Sequence, residues 1–463
     1  AQQYRVPHIW HGDVESDVGK ALTHCNPQGP PVFVTTKVVI DPQAGEIAAG
    51  RLFSGTLKKG TEIVIAGTAE KGRVQQIYIY NGAKKEIVDE VPAGNIIGIS
   101  GPKTMPGDTI TTVQIEPFEA IKHLFDPVIT KAIEAKSPGD LPKLIEVLRQ
   151  VSKEDPTITV EINEETGEHL LHGMGELHLE VIENRIKREK KVDVVTSPPI
   201  VVYRETILGK TKEPFEGKSP NKHNKLYFIA EPLKADLVRA IKEGEIPEGR
   251  IKRKDLVLRE KLMKYGFETK EADGVKDIYR GNIFVDMVRG EVHIGEIMEM
   301  VLDMFEDVMR AGPLAREPCI GVKVTLVDTK LHEDAIHRGP SQMYPAVRDG
   351  IRGAMRDARP LLFEPMQVLR FEAPEEYMGE ISKLISNKRG QILEMTQEGS
   401  EVVVIGKLPV AEMFGMSNDL RSATGGRGTS SLIDQSYERL PDELQAKVLR
   451  MIRERKGLKV EDE

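Results

Sequence analysis

Residues 126–197 read DPVITKAIEAKSPGDLPKLIEVLRQVSKEDPTITVEINEETGEHLLHGMGELHLEVIENRIKREKKVDVVTS, and the order of patterns in this stretch decides the fold class. DPVITKAIEAK (126–136) predicts a strand. Leu144, Val147, Leu148 and Val151 recur at helical spacing, and Asp140 as N-cap with Pro142 in the first turn opens that helix. TITVEINEE and GEHLLHGMG predict two more strands, ELHLEVIENRIKREKK a second helix, and VDVVTS a last strand. The resulting order, βαββαβ, is that of a ferredoxin-like split unit.

The same order returns toward the C-terminus. MQVLRFEAP predicts a strand, and EEYMGEISKLISNKRG a helix closed by Gly390. QILEMTQEG and SEVVVIGKLP predict a hairpin turning near Gly399, AEMFGMSNDLRSATGG a helix, and TSSLIDQSYERL a strand. Upstream, VFVTTKVVI, GEIAAGRLFSGTL, TEIVIAG, GRVQQIYIY, KEIVDEV and NIIGISG are short runs split by Gly, Pro, Asp and Lys, as in an antiparallel β-barrel. Residues 1–30 read as an irregular lead-in. Residues 201–360 mix strands (VVYRETI, KLYFIAEPL, IGVKVTLVD) with helices (ADLVRAIKEG, GEIMEMVLDMFEDVMRAG, PAVRDGIRGAMRDA), and the charged stretch 233–280 resists assignment. PDELQAKVLRMIRERKG predicts a last helix, with Pro441 at its start, Gly457 at its end, and Leu444, Val448, Leu449 and Ile452 packed on a neighbour.

The expected architecture is therefore multidomain. An antiparallel β-barrel (31–115) follows the lead-in (1–30). Two ferredoxin-like βαββαβ domains (116–199 and 363–439) flank a larger α+β domain (200–362 with 440–463).

At 463 residues the chain has room for about three to five domains. No run of about 18 apolar residues predicts a membrane span, and the N-terminus lacks the pattern of a secretory signal. Cys25 and Cys319 make neither a disulfide framework nor a zinc site, so a reducing cytoplasm fits. A net charge of −8 argues against a general nucleic-acid coat but leaves room for local basic loops.

Phosphate-binding chemistry of the form GxxxxGK[ST] is missing. Gly209-Lys210-Thr211 has Arg204 where the first Gly belongs, and Gly217-Lys218-Ser219 has Lys212 there. GTP hydrolysis by this chain alone is not expected. His169, His172 and His178, with Glu168, Glu176 and Glu180, form a dense group, but the spacing is not that of HExxH; packed or surface histidines are the plainer reading. The Gly425-Gly426-Arg427-Gly428 loop reads more simply as a helix C-terminal loop than as an anion site.

Two loops stand out. In EGKSPNKHNKLYF, the run Ser219, Pro220, Asn221, Lys222, His223, Asn224 and Lys225 offers donors and cations suited to RNA phosphates, sugars and base edges. An ordinary solvated hairpin tip is the competing reading. In LHEDAIHRGPSQMYP, His332, His337, Arg338, Gly339, Pro340, Ser341 and Gln342 predict a turn before a helix starting near Tyr344. Arg338 is suited to phosphate and Gln342 to a base edge. Arg348, Arg352 and Arg356 recur at four-residue spacing, an RNA-facing or simply solvated stripe.

Long segments resemble the elongation factor 2 family: YRVPHIW, GEIAAGRLFSGTLKKG, VPAGNIIGISG, EPFEAIKHLFDPVITKAIEAK, the stretch 140–181, SPPIVVYRET, EGKSPNKHNKLYF, LHEDAIHRGPSQMYPA, EYMGEISKLISNKRGQI and LPVAEMFGMSNDLRSATGGRG. They span nearly the whole chain, in order. HRGPSQ is more like archaeal members than the eukaryotic HRGGGQ.

The resemblance implies a translocation factor whose GTPase domain, with its GTP and Mg, lies outside this chain. No cofactor is implied within it. It implies that SPNKHN and HRGPSQ form a decoding-centre tip, with Ser219, Pro220, Asn221, Lys222, His223, Asn224, Arg338, Gly339 and Gln342 touching RNA. It implies His337 as the residue converted to diphthamide. The implied partners are the ribosome with its rRNA, tRNA and mRNA, and the diphthamide biosynthesis enzymes; a cytoplasmic monomer is expected, without membrane contact. The alternatives are a stand-alone ribosome- or RNA-binding protein that never had a GTPase domain, and a metalloenzyme built on 168–180. For the tip reading to hold, the two loops must converge and stay outside the core.

Overall fold

The computed structural model describes residues 2–459 apart from 42, 69, 83, 120–126, 156, 163–168, 252–254 and 291–292. The chain is multidomain and divides into two compact units, Ala1–Ile200 and Val201–Glu463.

The first unit opens with an eight-stranded antiparallel sheet in which Val32–Asp41 and Gly45–Ser54 are central, joined by a two-stranded pair, Thr56–Lys58 with Glu90–Pro92. Phe33, Leu52, Leu57, Ile63, Ile77, Val91, Ile97 and Ile110 come from eight different strands yet meet in one buried cluster. A flat sheet does not bring distant strands together; a sheet curled on itself does, and small barrels fill their interior with side chains in this way.

Residues 1–30 differ from the expected irregular lead-in. Gln2–Ile9 and Asp17–Thr23 are helices, and Trp10 is buried against Phe118, at 6.4 Å between ring centroids. The Trp10 indole donates to the Glu116 carbonyl at 2.7 Å. Pro7 inside the first helix hides it from a periodicity reading.

The βαββαβ order of 126–197 is present: Ile129–Ala135, Leu141–Glu154, Thr159–Ile162, His169–Gly173, Glu176–Arg188 and Val194–Thr196. In the sheet the fourth strand lies beside the first, then the third and the second, all antiparallel. Asp140 makes no capping hydrogen bond, contrary to expectation. Its backbone is already helical and the Pro138–Asp140 turn runs straight into the helix. Part of the hairpin read between TITVEINEE and GEHLLHGMG, and Glu168 with it, lies outside the described residues.

The second unit repeats that strand order with Pro360–Pro374, Gln391–Glu398, Glu401–Pro409 and Thr429–Arg439. The left-handed position that ends the helix Met378–Asn387 is Arg389, at φ 54°, and not Gly390. Gly390 is small for another reason: a Cβ there would sit 2.7 Å from the Ile385 carbonyl oxygen and 2.8 Å from Leu408. Helix also covers less of 411–426 than expected, only Met416–Ala423, because Gly415 at φ 73° breaks the chain before it.

Between these in sequence comes a six-stranded sheet in the order Phe215–Lys218, Lys225–Pro232, Val322–Lys330, Asn282–Asp286, Val275–Tyr279, Gly249–Arg250. Alternation places Phe284 against the helices Ile294–Arg310 and Pro340–Asp357, and Ile283 and Val285 against Ala235–Lys242 and Leu256–Lys264. The charged stretch 233–280 thus supplies a helical cover for the second face. The hairpin Val275–Tyr279/Asn282–Asp286 went unassigned in the sequence. Arg280 and Gly281 both take positive φ, 48° and 76°, as a two-residue hairpin turn demands, and Arg in place of the usual Asn or Asp before the Gly masks that turn in the sequence.

The terminal helix Asp442–Arg455 leans on the root of this domain. Gln445 bonds both the Leu362 amide and carbonyl, and Lys456 pairs with buried Glu317 at 2.6 Å. Of its four apolar positions only Ile452 is fully buried; Leu444, Val448 and Leu449 are half-buried.

Candidate nucleic-acid interface

Strands Phe215–Lys218 and Lys225–Pro232 form a hairpin whose far partner, Val322–Lys330, ends opposite Lys225. That register puts the turn 219–224 and the segment after Lys330 at the same end of one sheet, so the two predicted loops converge. The turn is closed from within. The Ser219 hydroxyl donates to Asn221 Oδ1 at 2.6 Å, and the Asn224 amide donates to Ser219 Oγ at 3.0 Å. Lys222 occupies the left-handed region at φ 66°.

Asn224 is fully buried and joins the loops. Its Oδ1 accepts the His332 amide at 3.0 Å, and its Nδ2 donates to the His337 carbonyl at 2.7 Å. The Asn221 amide donates to Gln342 Oε1 at 2.9 Å. Asp334 caps the short 3-10 turn Ala335–Arg338 through the Ile336 amide at 3.1 Å. The rings of His223, His332 and His337 gather within 5.1 Å of one another, the closest pair being His332–His337 at 4.4 Å between centroids.

Three expectations need correction. Arg338 does not reach outward. Its side chain is 4% exposed, it donates to the His332 and Glu333 carbonyls, and it pairs with Glu296 at 2.5 Å. His293 and Arg338 together hold the Glu296 carboxyl below its ordinary value. Ser219 and Asn224 are likewise buried struts, not contact residues. The helix starts at Pro340, not near Tyr344, so Ser341 and Gln342 lie in its first turn with Gly339 as N-cap. Pro220, Lys222 and His223 are exposed, and Asn221, His332, His337, Gly339 and Gln342 half-buried. Sequence reasoning passed over Ile336, which is 82% exposed.

The arginine stripe dissolves. Arg352 is buried and donates to the Ala311 carbonyl at 3.0 Å, whereas Arg356 is exposed. The two GK[ST] triplets have packing roles. Thr211 Oγ1 donates to the Ala354 carbonyl at 3.0 Å, and Gly217 presses on the helix Pro340–Asp357, where a Cβ would meet the Ala346 oxygen at 2.2 Å. The histidines of 168–180 are spread apart. His172 bonds Thr130 at 2.7 Å, His178 pairs with Asp155 at 3.2 Å, and His169 is buried. Among the described residues no group of His, Cys, Asp and Glu is arranged to hold a metal ion. No described helix is long and apolar enough to cross a membrane.

Four domain-family models match this chain in sequence order: Elongation factor Tu domain 2 (residues 45–111), Elongation Factor G domain III (125–198), Elongation factor G domain IV (244–359) and Elongation factor G C-terminus (361–448). Together they define the class, an elongation factor on the domain plan of elongation factor G. Relatives named elongation factor 2 include that of Thermococcus kodakarensis, 49% identical over 99% of this chain and 62% of the relative. Those of Methanocaldococcus jannaschii and Methanosarcina acetivorans are each 51% identical over the whole of this chain and 64% and 63% of their own lengths. The chain belongs to the elongation factor 2 family. It spans a little under two thirds of the length of these curated relatives.

Proposed function

We propose that this chain is the ribosome-contacting part of a translocation factor, in which a GTPase domain with bound GTP and Mg2+ drives movement of tRNA and mRNA by one codon. The convergence of the SPNKHN and HRGPSQ loops carries this reading. Two loops far apart in sequence are locked into one rigid, partly exposed tip with the His337 ring among its neighbours. Rigid loop constellations on a packed scaffold are where binding residues concentrate. In this reading Lys222, His223 and Gln342 face RNA and His337 is the diphthamide site, recognised by the enzymes that make that group.

The finer architecture belongs to the same proposal. The barrel is 31–115, the two βαββαβ domains, 116–199 and 363–439, are ferredoxin-like, and 200–362 with 440–463 forms the arm. The protein acts as a cytoplasmic monomer.

Co-sedimentation with archaeal ribosomes over a salt series tests the reading. Binding is expected to weaken as salt rises, with log K falling linearly in log salt. Peptide mapping of chain made in a diphthamide-competent cell is expected to show added mass on His337. Failure to bind ribosomes at low salt overturns the ribosome assignment, and an unmodified His337 overturns the modification.

A further inference from the structure

We propose that the terminal helix Asp442–Arg455 is a releasable clasp over the joint between the two sheets of the second unit, closed by Arg453, Arg455 and Lys456 gripping the loop 312–317. The clasp sets the angle of the sheet that carries the converging loops, whatever those loops bind.

The joint is one loop held from both sides. Residues 312–317 lead from the helix Ile294–Arg310 to the strand Val322–Lys330, so they belong with the six-stranded sheet. Glu205, which they enclose, stands on the strand Arg204–Ile207 of the five-stranded sheet. Its fully buried carboxylate accepts the amides of Leu314, Ala315 and Glu317 at 2.7, 2.8 and 3.0 Å. The loop winds so closely around it that a Cβ on Gly312 would sit 2.3 Å from Glu205 Oε2, and Arg316 is bent into the left-handed region at φ 58°.

With these amides turned inward, the helix takes carbonyls on the outer side. Arg453 donates to the Leu314 oxygen at 2.8 Å, and Lys456, the helix C-cap, to the Arg316 oxygen at 2.7 Å. Lys456 and Arg455 also pair with buried Glu317 at 2.6 and 3.5 Å. The other end of the same helix holds the five-stranded sheet, where Gln445 bonds both backbone groups of Leu362. One helix therefore ties the two sheets together across their joint.

The two grips differ in kind. The inner one joins backbone amides to a carboxylate closed off from water and salt. The outer one is ionic and wet, for the Arg455 and Lys456 side chains are each 30% exposed and open to screening. Apolar packing adds little to it. Ile452 is fully buried, but Leu444, Val448 and Leu449 are half-buried and Met451 is 49% exposed. A 14-residue helix is marginal by itself in water, so its order depends on these few contacts. The outer grip yields first, and Glu205 remains as the pivot.

Spin labels on Ala335→Cys and Lys383→Cys, both exposed, report the angle between the sheets in the full 463-residue chain. Cys25→Ser removes the half-exposed native thiol, and Cys319 is buried. Pulsed electron paramagnetic resonance at low salt is expected to give one narrow distance distribution for this labelled parent. The added double substitution Arg453→Ala/Lys456→Ala is expected to broaden it or split it in two, and Lys456→Arg, which keeps the cation, to leave it narrow. About 1 M NaCl, where the screening length falls to about 3 Å, is expected to broaden the parent in the same way. Amide exchange in the double variant is expected to quicken about tenfold or more in 442–455 and 314–317, and to stay at the parent's rate in Val322–Lys330.

An unchanged distribution in the double variant overturns the proposal, because the joint is then fixed without the clasp. A parent that stays narrow at high salt overturns it too, because the clasp then does not release. Broadening accompanied by faster exchange in Val322–Lys330 is general unfolding and overturns it as well. None of these readings involves a ribosome, so the assignment of the tip stands or falls separately.

Discussion

Asn224 holds both ends of the loop 332–337 with one buried amide, through the His332 amide and the His337 carbonyl. Removing it leaves the His332 amide without its partner and the His337 carbonyl with only the 3.4 Å bond from Asn221 Nδ2, at about 1–3 kcal/mol for each group left unpaired. Asn224→Ala is therefore expected to lower unfolding stability by about 2–4 kcal/mol and to speed amide hydrogen exchange at His332 and its neighbours. Unchanged exchange there would show that Arg338 alone holds the loop. Neither residue's role was legible in the sequence. An Asn and an Arg in a polar loop look like surface donors, and only burial reveals that their donors point inward.

At the scale of elements, the strand Phe215–Lys218 lies so close to the helix Pro340–Asp357 that glycines are required where they touch. A Cβ on Gly217 would meet backbone, the Ala346 oxygen at 2.2 Å, which cannot move without shifting the helix. A Cβ on Gly353 would meet the Phe215 ring at 2.1 Å, but that side chain is 40% exposed and can swing out. Gly217→Ala is expected to destabilise by about 3 kcal/mol and Gly353→Ala by about 1 kcal/mol or less, as read by denaturant titration. Equal costs would mean that the helix, not the ring, yields. The long strand Pro360–Pro374 shows a second effect of scale. Its start pairs with Arg204–Ile207 and its length with Glu401–Pro409 and Thr429–Arg439, all within one five-stranded sheet. A domain boundary drawn at 363 from sequence therefore falls inside a continuous strand.

For the whole molecule, stability against pH carries a signature. Asp277 is 1% exposed, one of its oxygens lacks a partner, and burial followed by the nearby Glu306 pushes its carboxyl up from 3.8 to about 6, against the pull of Arg250. The folded state then binds a proton more tightly than the unfolded one. The stabilising contribution is complete below about pH 3.8 and is lost as pH rises through about 6, leaving a deficit of roughly 3 kcal/mol at neutral pH. Asp277→Asn is expected to raise the melting temperature at pH 7.5 and to change it little at pH 4. In calorimetry the shift belongs to the transition of the unit Val201–Glu463 and not to that of Ala1–Ile200. An equal shift at both pH values would show that packing, not charge, makes the difference.

The sequence by itself determined the order of elements within the two βαββαβ repeats, because hydrophobic period and turn residues are local and survive in one dimension. Only the tertiary structure decided which tip residues face solvent. Arg338, Ser219 and Asn224 turned inward and Ile336 turned outward, because a side chain's direction depends on neighbours up to 121 positions away, as the Asn221–Gln342 bond shows.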